Sequence, residues 1–192
     1  FRTNMNPNRK MGFLCSEEHY ATAREVGKEG IVLLKNQRNL LPLNLKKTKR
    51  ILVVGENAIK MMTVGGGSSS LKVQHEVTPI EGLKARLKGM KIEIDYARGY
   101  VGDTIGHYSG VRTGQDLREF RSEDELVQEA VSKAKNADYI IYIGGLNKSV
   151  HQDDEGYDRL SYELPYHQDR LIEALAQANK NMVYVNISGN AV

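Results

Sequence analysis

Apolar positions along this 192-residue chain fall into short clusters, set apart by polar stretches with helical spacing. Ile51-Leu52-Val53-Val54-Gly55 and Tyr139-Ile140-Ile141-Tyr142-Ile143-Gly144 are continuous apolar runs. A strand covered on both faces reads this way, because neither side meets water. Lys91-Ile92-Glu93-Ile94-Asp95-Tyr96 alternates with period two, like a strand, and Met182-Val183-Tyr184-Val185-Asn186-Ile187 makes a fourth. Helical patterns lie between them. Thr78-Pro79-Ile80-Glu81 has a cap residue, a proline in the first helical position and a Glu three residues after the cap, so a helix should run to about Lys88. Ser122-Glu123-Asp124-Glu125 opens a second helix to about Asn136, with Leu126, Val127, Ala130, Val131 and Ala134 on one stripe. A third is expected from Pro165 to Ala178, with Leu171, Ile172, Leu175 and Ala176 turned inward. Strands alternating with helices predict an α/β fold, a mainly parallel sheet with helices on both faces.

Ahead of this rhythm, residues 1–15 show no periodicity and read as an arm. Ser16 should cap a linker helix running to about Glu29, with Glu17 and Glu18 near its positive end and Gly30 closing it. The apolar run Ile31–Asn36 and the extended, proline-pinned Leu40-Leu41-Pro42-Leu43 follow. The chain therefore divides into residues 1–45, a linker, and residues 46–192, the α/β domain. It opens on Phe1 rather than Met, and Val192 falls where an α/β chain would enter its next helix. A piece cut at both ends is the expectation.

Composition narrows the function classes. A 40% apolar content suffices for a core, and 27 basic against 24 acidic residues leave a net charge of only +3. No nucleic-acid partner is expected from so weak a bias, and the basic run Lys46–Arg50 leads straight into a strand as a solvated linker. Cys15, the single cysteine, can form no internal disulfide. No apolar run approaches the roughly 20 residues of a membrane-spanning helix.

Chemistry in open parallel sheets gathers at the loops leaving the carboxyl ends of the strands. Those loops begin Gly55-Glu56-Asn57-Ala58, Ala97-Arg98-Gly99, Gly144-Gly145-Leu146-Asn147 and Ser188-Gly189-Asn190. Gly55 is not followed by the later glycines of a dinucleotide fingerprint, and Glu56 would oppose a pyrophosphate with like charge. Gly65-Gly66-Gly67-Ser68-Ser69-Ser70 lacks the Gly-Lys-Ser/Thr of a phosphate loop, which leaves a mobile loop or the lining of a polar cleft. The third loop carries His151-Gln152-Asp153-Asp154-Glu155-Gly156-Tyr157-Asp158-Arg159. Its acids miss the calcium-loop spacing, so no metal is expected there. His19, His75, His107 and His167 are isolated; Tyr108, Tyr157 and Tyr162 suit either packing or sugar stacking. Adjacent Asp153, Asp154 and Glu155 can raise one another's pKa, as a general acid requires. Asp158 and Arg159 can anchor the loop through a charge-paired hydrogen bond. The residues by themselves leave open whether this is a solvated acid loop or a catalytic one.

Taken together and in order, several stretches resemble glycoside hydrolase family 3, the β-glucosidase and β-xylosidase group. They are Ala23-Arg24-Glu25-Val26, Glu29–Asn36 and Leu40–Leu43; Val53–Ala58 and Gly65–Ser69; Val77–Gly82; then Gly145-Leu146-Asn147, Glu155–Arg159, Leu164-Pro165 with Gln168, and Ser188–Val192. The resemblance covers about residues 19–192. It implies a two-domain retaining enzyme acting on oligosaccharides or glycosides, with no cofactor. An upstream (β/α)8 barrel would supply the nucleophilic Asp, so this chain alone would be inactive. Glu155 matches the family's general acid/base, with Asp154 a second choice because Asp153 and Asp154 replace the residues usual before it. Asp158 and Arg159 would be the loop's anchors. The family leans towards a periplasmic or secreted location. The alternative is a non-catalytic carbohydrate-binding or structural α/β module.

Overall fold

The computed structural model describes residues 4–63, 71, 73–102, 107, 108, 111, 112 and 115–192. Gly65–Ser70 and parts of the loops at 60–75 and 100–118 lie outside the described residues. The chain forms two compact units, Phe1–Leu41 and Pro42–Val192.

The first unit is built on helix α1 (Glu17–Glu29). Ser16 Oγ accepts from the backbone N–H of His19 at 3.3 Å, which satisfies one of the donors a helix start leaves over. Gly30 follows as the C-cap. The apolar run Ile31–Leu34 takes no regular secondary structure and its side chains are exposed. The Asn36 side chain then exchanges two hydrogen bonds with the backbone of Leu41, at 2.9 and 3.0 Å, folding the segment into a turn.

The second unit holds a four-stranded parallel sheet: β1 (Arg50–Val54), β2 (Glu93–Ala97), β5 (Tyr139–Gly145) and β6 (Met182–Ile187), in the order β2-β1-β5-β6. A two-residue antiparallel pair, β3 (His107–Tyr108) and β4 (Val111–Arg112), stands apart from it. The central strands are apolar from Ile51 and Tyr139 onward because both faces are covered. Ile51, Val53, Ile141 and Ile143 face one core, shared with Ile80 of helix α2 (Pro79–Arg86) and with Leu43 and Leu45. Leu52, Val54, Ile140 and Tyr142 face the other, shared with α3 (Glu123–Ala134) and α4 (Gln168–Ala178). The α3 stripe packs as its spacing predicts, with Leu126, Val127, Ala130 and Ala134 buried and Val131 partly so.

Two boundaries differ from the sequence pattern. Strand β2 starts at Glu93, two residues inside the alternating run. Helix α4 starts at Gln168 rather than Pro165, because Tyr166 and His167 take left-handed φ of 62° and 50°. Those two residues turn the fully buried Gln168 inward, where its amide is needed, as described below.

Candidate active site

From β1 the chain crosses to β2 on one side, then returns past β1 to β5 on the other. The crevice between the carboxyl ends of β1 and β5 is therefore the switch point at which such sheets hold ligands. Here the protein closes it with its own side chains. Gly55 takes φ 118°, and a Cβ there would sit 2.0 Å from the Ile143 carbonyl oxygen, so only glycine lets β1 and β5 approach so closely. A short 3-10 turn, Glu56–Ala58, follows instead of a long helix that could face a phosphate. Asn57 Nδ2 donates to the Leu146 carbonyl at 2.9 Å, spanning the crevice. Glu56 is fully buried: Oε2 accepts from Arg98 at 2.8 Å and from the Gly102 N–H at 2.6 Å, and Oε1 meets Lys60 Nζ at 3.2 Å. Arg98 also donates to the Leu117 carbonyl at 2.6 Å. These charges hold the ends of β1 and β2 together.

The acid loop leaves β5 from a fixed point. Gly145, at φ 100°, is held on both sides by the Gln168 amide, which accepts from its N–H at 2.9 Å and donates to its carbonyl at 2.8 Å. Gln168 also accepts from the Tyr142 hydroxyl at 2.8 Å. Asn147 then organises a tight turn: its Oδ1 accepts from Ser149 N at 2.8 Å and its carbonyl from Asp153 N at 2.9 Å. At the end of this turn Asp153 reaches the loop after β6. Its carboxylate accepts from Gly189 N at 2.6 Å and from Asn190 Nδ2 at 3.2 Å. The far leg is tied at Arg159, which donates to Asn190 Oδ1 at 2.7 Å, to the Ala191 carbonyl and to the Glu163 carbonyl at 3.3 Å.

Between these ties lies the tip, residues 154–158. His151 closes its base, with Nδ1 2.9 Å from the Asp158 carbonyl and its ring edge-on to Tyr157 at 5.3 Å. The candidate acids now stand in different surroundings. Asp153 is engaged by Gly189 and Asn190. Asp154 is half-buried, its Oδ1 has no hydrogen-bond partner among the described residues, and burial pushes its carboxyl pKa up. Glu155 is exposed at the tip, beside Gly156 in a left-handed turn at φ 100°. Asp158 is exposed and enters the loop's bonding through its main-chain carbonyl, while Arg159 acts through its guanidinium. Tyr157 and Tyr162 are exposed, and the Arg159 guanidinium lies 5.8 Å from the Tyr162 ring centre.

The tie between Asp153 and Asn190 and the anchoring of Gly145 by Gln168 were not legible in the sequence. The Ser188-Gly189-Asn190 stretch marks a strand end, but nothing local says which acid its Asn will meet. Among the described residues, no group of three or more His, Cys, Asp or Glu side chains could hold a metal ion. No helix among them is long and apolar enough to cross a membrane.

Residues 31–192 match the family model described as the glycosyl hydrolase family 3 C-terminal domain. The chain belongs to glycosyl hydrolase family 3. Beta-glucosidase BoGH3A of Bacteroides ovatus is 50% identical over 197 residues, an alignment that takes in 100% of this chain and 25% of that protein. Probable beta-D-xylosidase 7 of Arabidopsis thaliana is 32% identical over 98% of this chain and 21% of its own length. A solved β-glucosidase from Erythrobacter marinus superposes with a TM-score of 0.75 at 32% identity, over 92% of this chain and 24% of that one. This family 3 chain thus spans about a quarter or less of the length of these three relatives. The α/β fold expected from the strand and helix pattern is the fold these relatives share with it.

Proposed function

We propose that this chain is part of a retaining β-glycosidase, of β-glucosidase type, and supplies its general acid/base through Glu155. The observation that carries the reading is the sorting of the three adjacent acids: Glu155 is the exposed one, on a tip tied down at both legs. An acid/base must be accessible to the glycosidic oxygen of a bound sugar, and of the three adjacent acids Glu155 is the one whose side chain is exposed. Glu155 would protonate the leaving-group oxygen, then take a proton from the water that releases the glycosyl-enzyme. Its partner nucleophile would lie about 5–5.5 Å away, as retention of configuration requires. In this reading an upstream (β/α)8 barrel contributes that Asp, and residues 1–45 lead from the barrel into the α/β domain.

Asp154 offers a second reading, because burial raises its pKa in the direction a general acid needs. Paired variants separate the two in the whole enzyme. Glu155→Gln should lower kcat/KM on glycosides with poor leaving groups by about 10²- to 10⁴-fold, the usual contribution of general acid–base catalysis. The loss on dinitrophenyl glycosides should be far smaller, and added azide should speed release of the glycosyl-enzyme. Asp154→Asn should show neither signature. Equal loss on both substrate types in Glu155→Gln removes Glu155 from the role. The same signature in Asp154→Asn transfers it there. A whole protein with no glycosidase activity would favour the non-catalytic carbohydrate-binding or structural module.

A further inference from the structure

We infer that Asn190 is a positioning residue for the acid/base loop, its one side-chain amide clamping both legs of the tip that carries Glu155. The inference rests on the acid/base reading above. Asp153 and Arg159 flank the tip, one on each side, and both end on Asn190. Its Nδ2 donates to Asp153 at 3.2 Å and its Oδ1 accepts from Arg159 at 2.7 Å. A primary amide suits this place because it offers a donor to an anion and an acceptor to a cation at the same time. Only one orientation of the amide satisfies both charges, so the charges themselves set how it is turned.

Behind Asn190 the attachment runs back to the sheet. Gly189 N, one residue before it, donates to the other Asp153 oxygen at 2.6 Å. Two residues further back stands Ile187, the last of β6, whose carbonyl accepts from Leu146 N at 2.7 Å. The clamp therefore refers the tip to the end of the sheet rather than to solvent. Misplacing a catalytic group by about 1 Å can cost about 10²-fold in rate, which is the scale on which such a clamp matters.

An exchange of chemistry between the two partners tests this in the whole enzyme. Asn190→Asp keeps an acceptor for Arg159 but sets a carboxylate against Asp153. Combining it with Asp153→Asn restores the pattern in reverse: the new amide donates to position 190, and its oxygen still accepts from Gly189 N. We expect Asn190→Asp to lower kcat/KM on poor-leaving-group glycosides by 10- to 100-fold, on the order of the misplacement cost. That loss should exceed the loss on dinitrophenyl glycosides at least tenfold, and Asp153→Asn/Asn190→Asp should recover most of it. Equal losses on both substrates, no loss, or no recovery in the double variant would overturn the positioning role. If Asn190→Asp does not fold, Asn190→Ala removes the clamp without repulsion and is read by the same ratio. Glu155→Gln is measured alongside. If it lacks the leaving-group signature, the acid/base reading fails; if it has the signature and the Asn190 variants do not, only the clamp fails.

Discussion

A carboxylate taken out of water costs several kcal/mol unless opposite charges and hydrogen bonds meet it, and at Glu56 they do. Arg98, Lys60 and the Gly102 N–H converge on it in a fully buried setting. Glu56→Gln leaves two buried cations around a neutral group, a loss on the order of 3–5 kcal/mol. For a domain of this size the thermal midpoint should fall by roughly 10 °C, as read by circular dichroism melting. An unchanged midpoint would show that the charges contribute nothing net. From sequence, Glu56 could be read only as a charge that would repel a phosphate. The decisive neighbour, Arg98, lies 42 positions along the chain, beyond the reach of local pattern.

Strands and helices were the most legible level. Ser122 and Glu125 form the box their spacing predicts, with Ser122 N donating to Glu125 at 2.7 Å and Ser122 Oγ accepting from Glu125 N at 3.3 Å. Strand β1 is secured at its start by a residue the pattern does not flag. The Asp138 carboxylate, just before β5, accepts from Lys49 N at 2.7 Å and Arg50 N at 2.8 Å. Those backbone hydrogen bonds, that from Arg50 foremost, hold its pKa below the usual aspartate value. A carboxylate depressed in the folded state stabilises fully above its unfolded pKa, about 3.9. That contribution is lost as pH falls through the lower folded value. Asp138→Asn keeps a neutral acceptor but removes the titration. The variant should be less stable at neutral pH and its stability should decline less steeply below about pH 4, as measured by urea unfolding across pH. Parallel slopes for variant and parent would refute the assignment. The displaced start of α4 comes from the tertiary demand on Gln168: Pro165 signals a helix start locally, yet the Gln168 amide must reach Gly145.

At the scale of the molecule, the sheet order sets the loops after β1, β5 and β6 side by side, and the acid loop is bound to the last of them. Retaining hydrolysis needs a second carboxylate across the scissile bond. The acids beside Glu155 do not meet that need, since Asp153 is tied to Gly189 and Asn190, and Asp154 is half-buried next to it. The 192-residue chain expressed alone should therefore release no aryl alcohol from aryl β-glucosides, while the whole enzyme containing it should. Turnover by the isolated chain would overturn the proposal that the nucleophile lies outside it.

The sequence by itself determined the four strands of the parallel sheet, the helix caps at Ser16, Thr78 and Ser122, the α/β class and the position of the acid loop at a strand's carboxyl end. Each of these follows from residues within a turn or a strand of one another, where periodicity and capping act. It also carried the ordered stretches that resemble family 3. Only the tertiary structure decided how the three acids differ. Asp153 is engaged because Gly189 and Asn190, 36 and 37 positions away, are brought to it by the pairing of β5 with β6. Asp154 is half-buried and Glu155 exposed for the same reason: once both legs of the loop are tied to the end of the sheet, the geometry of the tip fixes which carboxylate meets solvent.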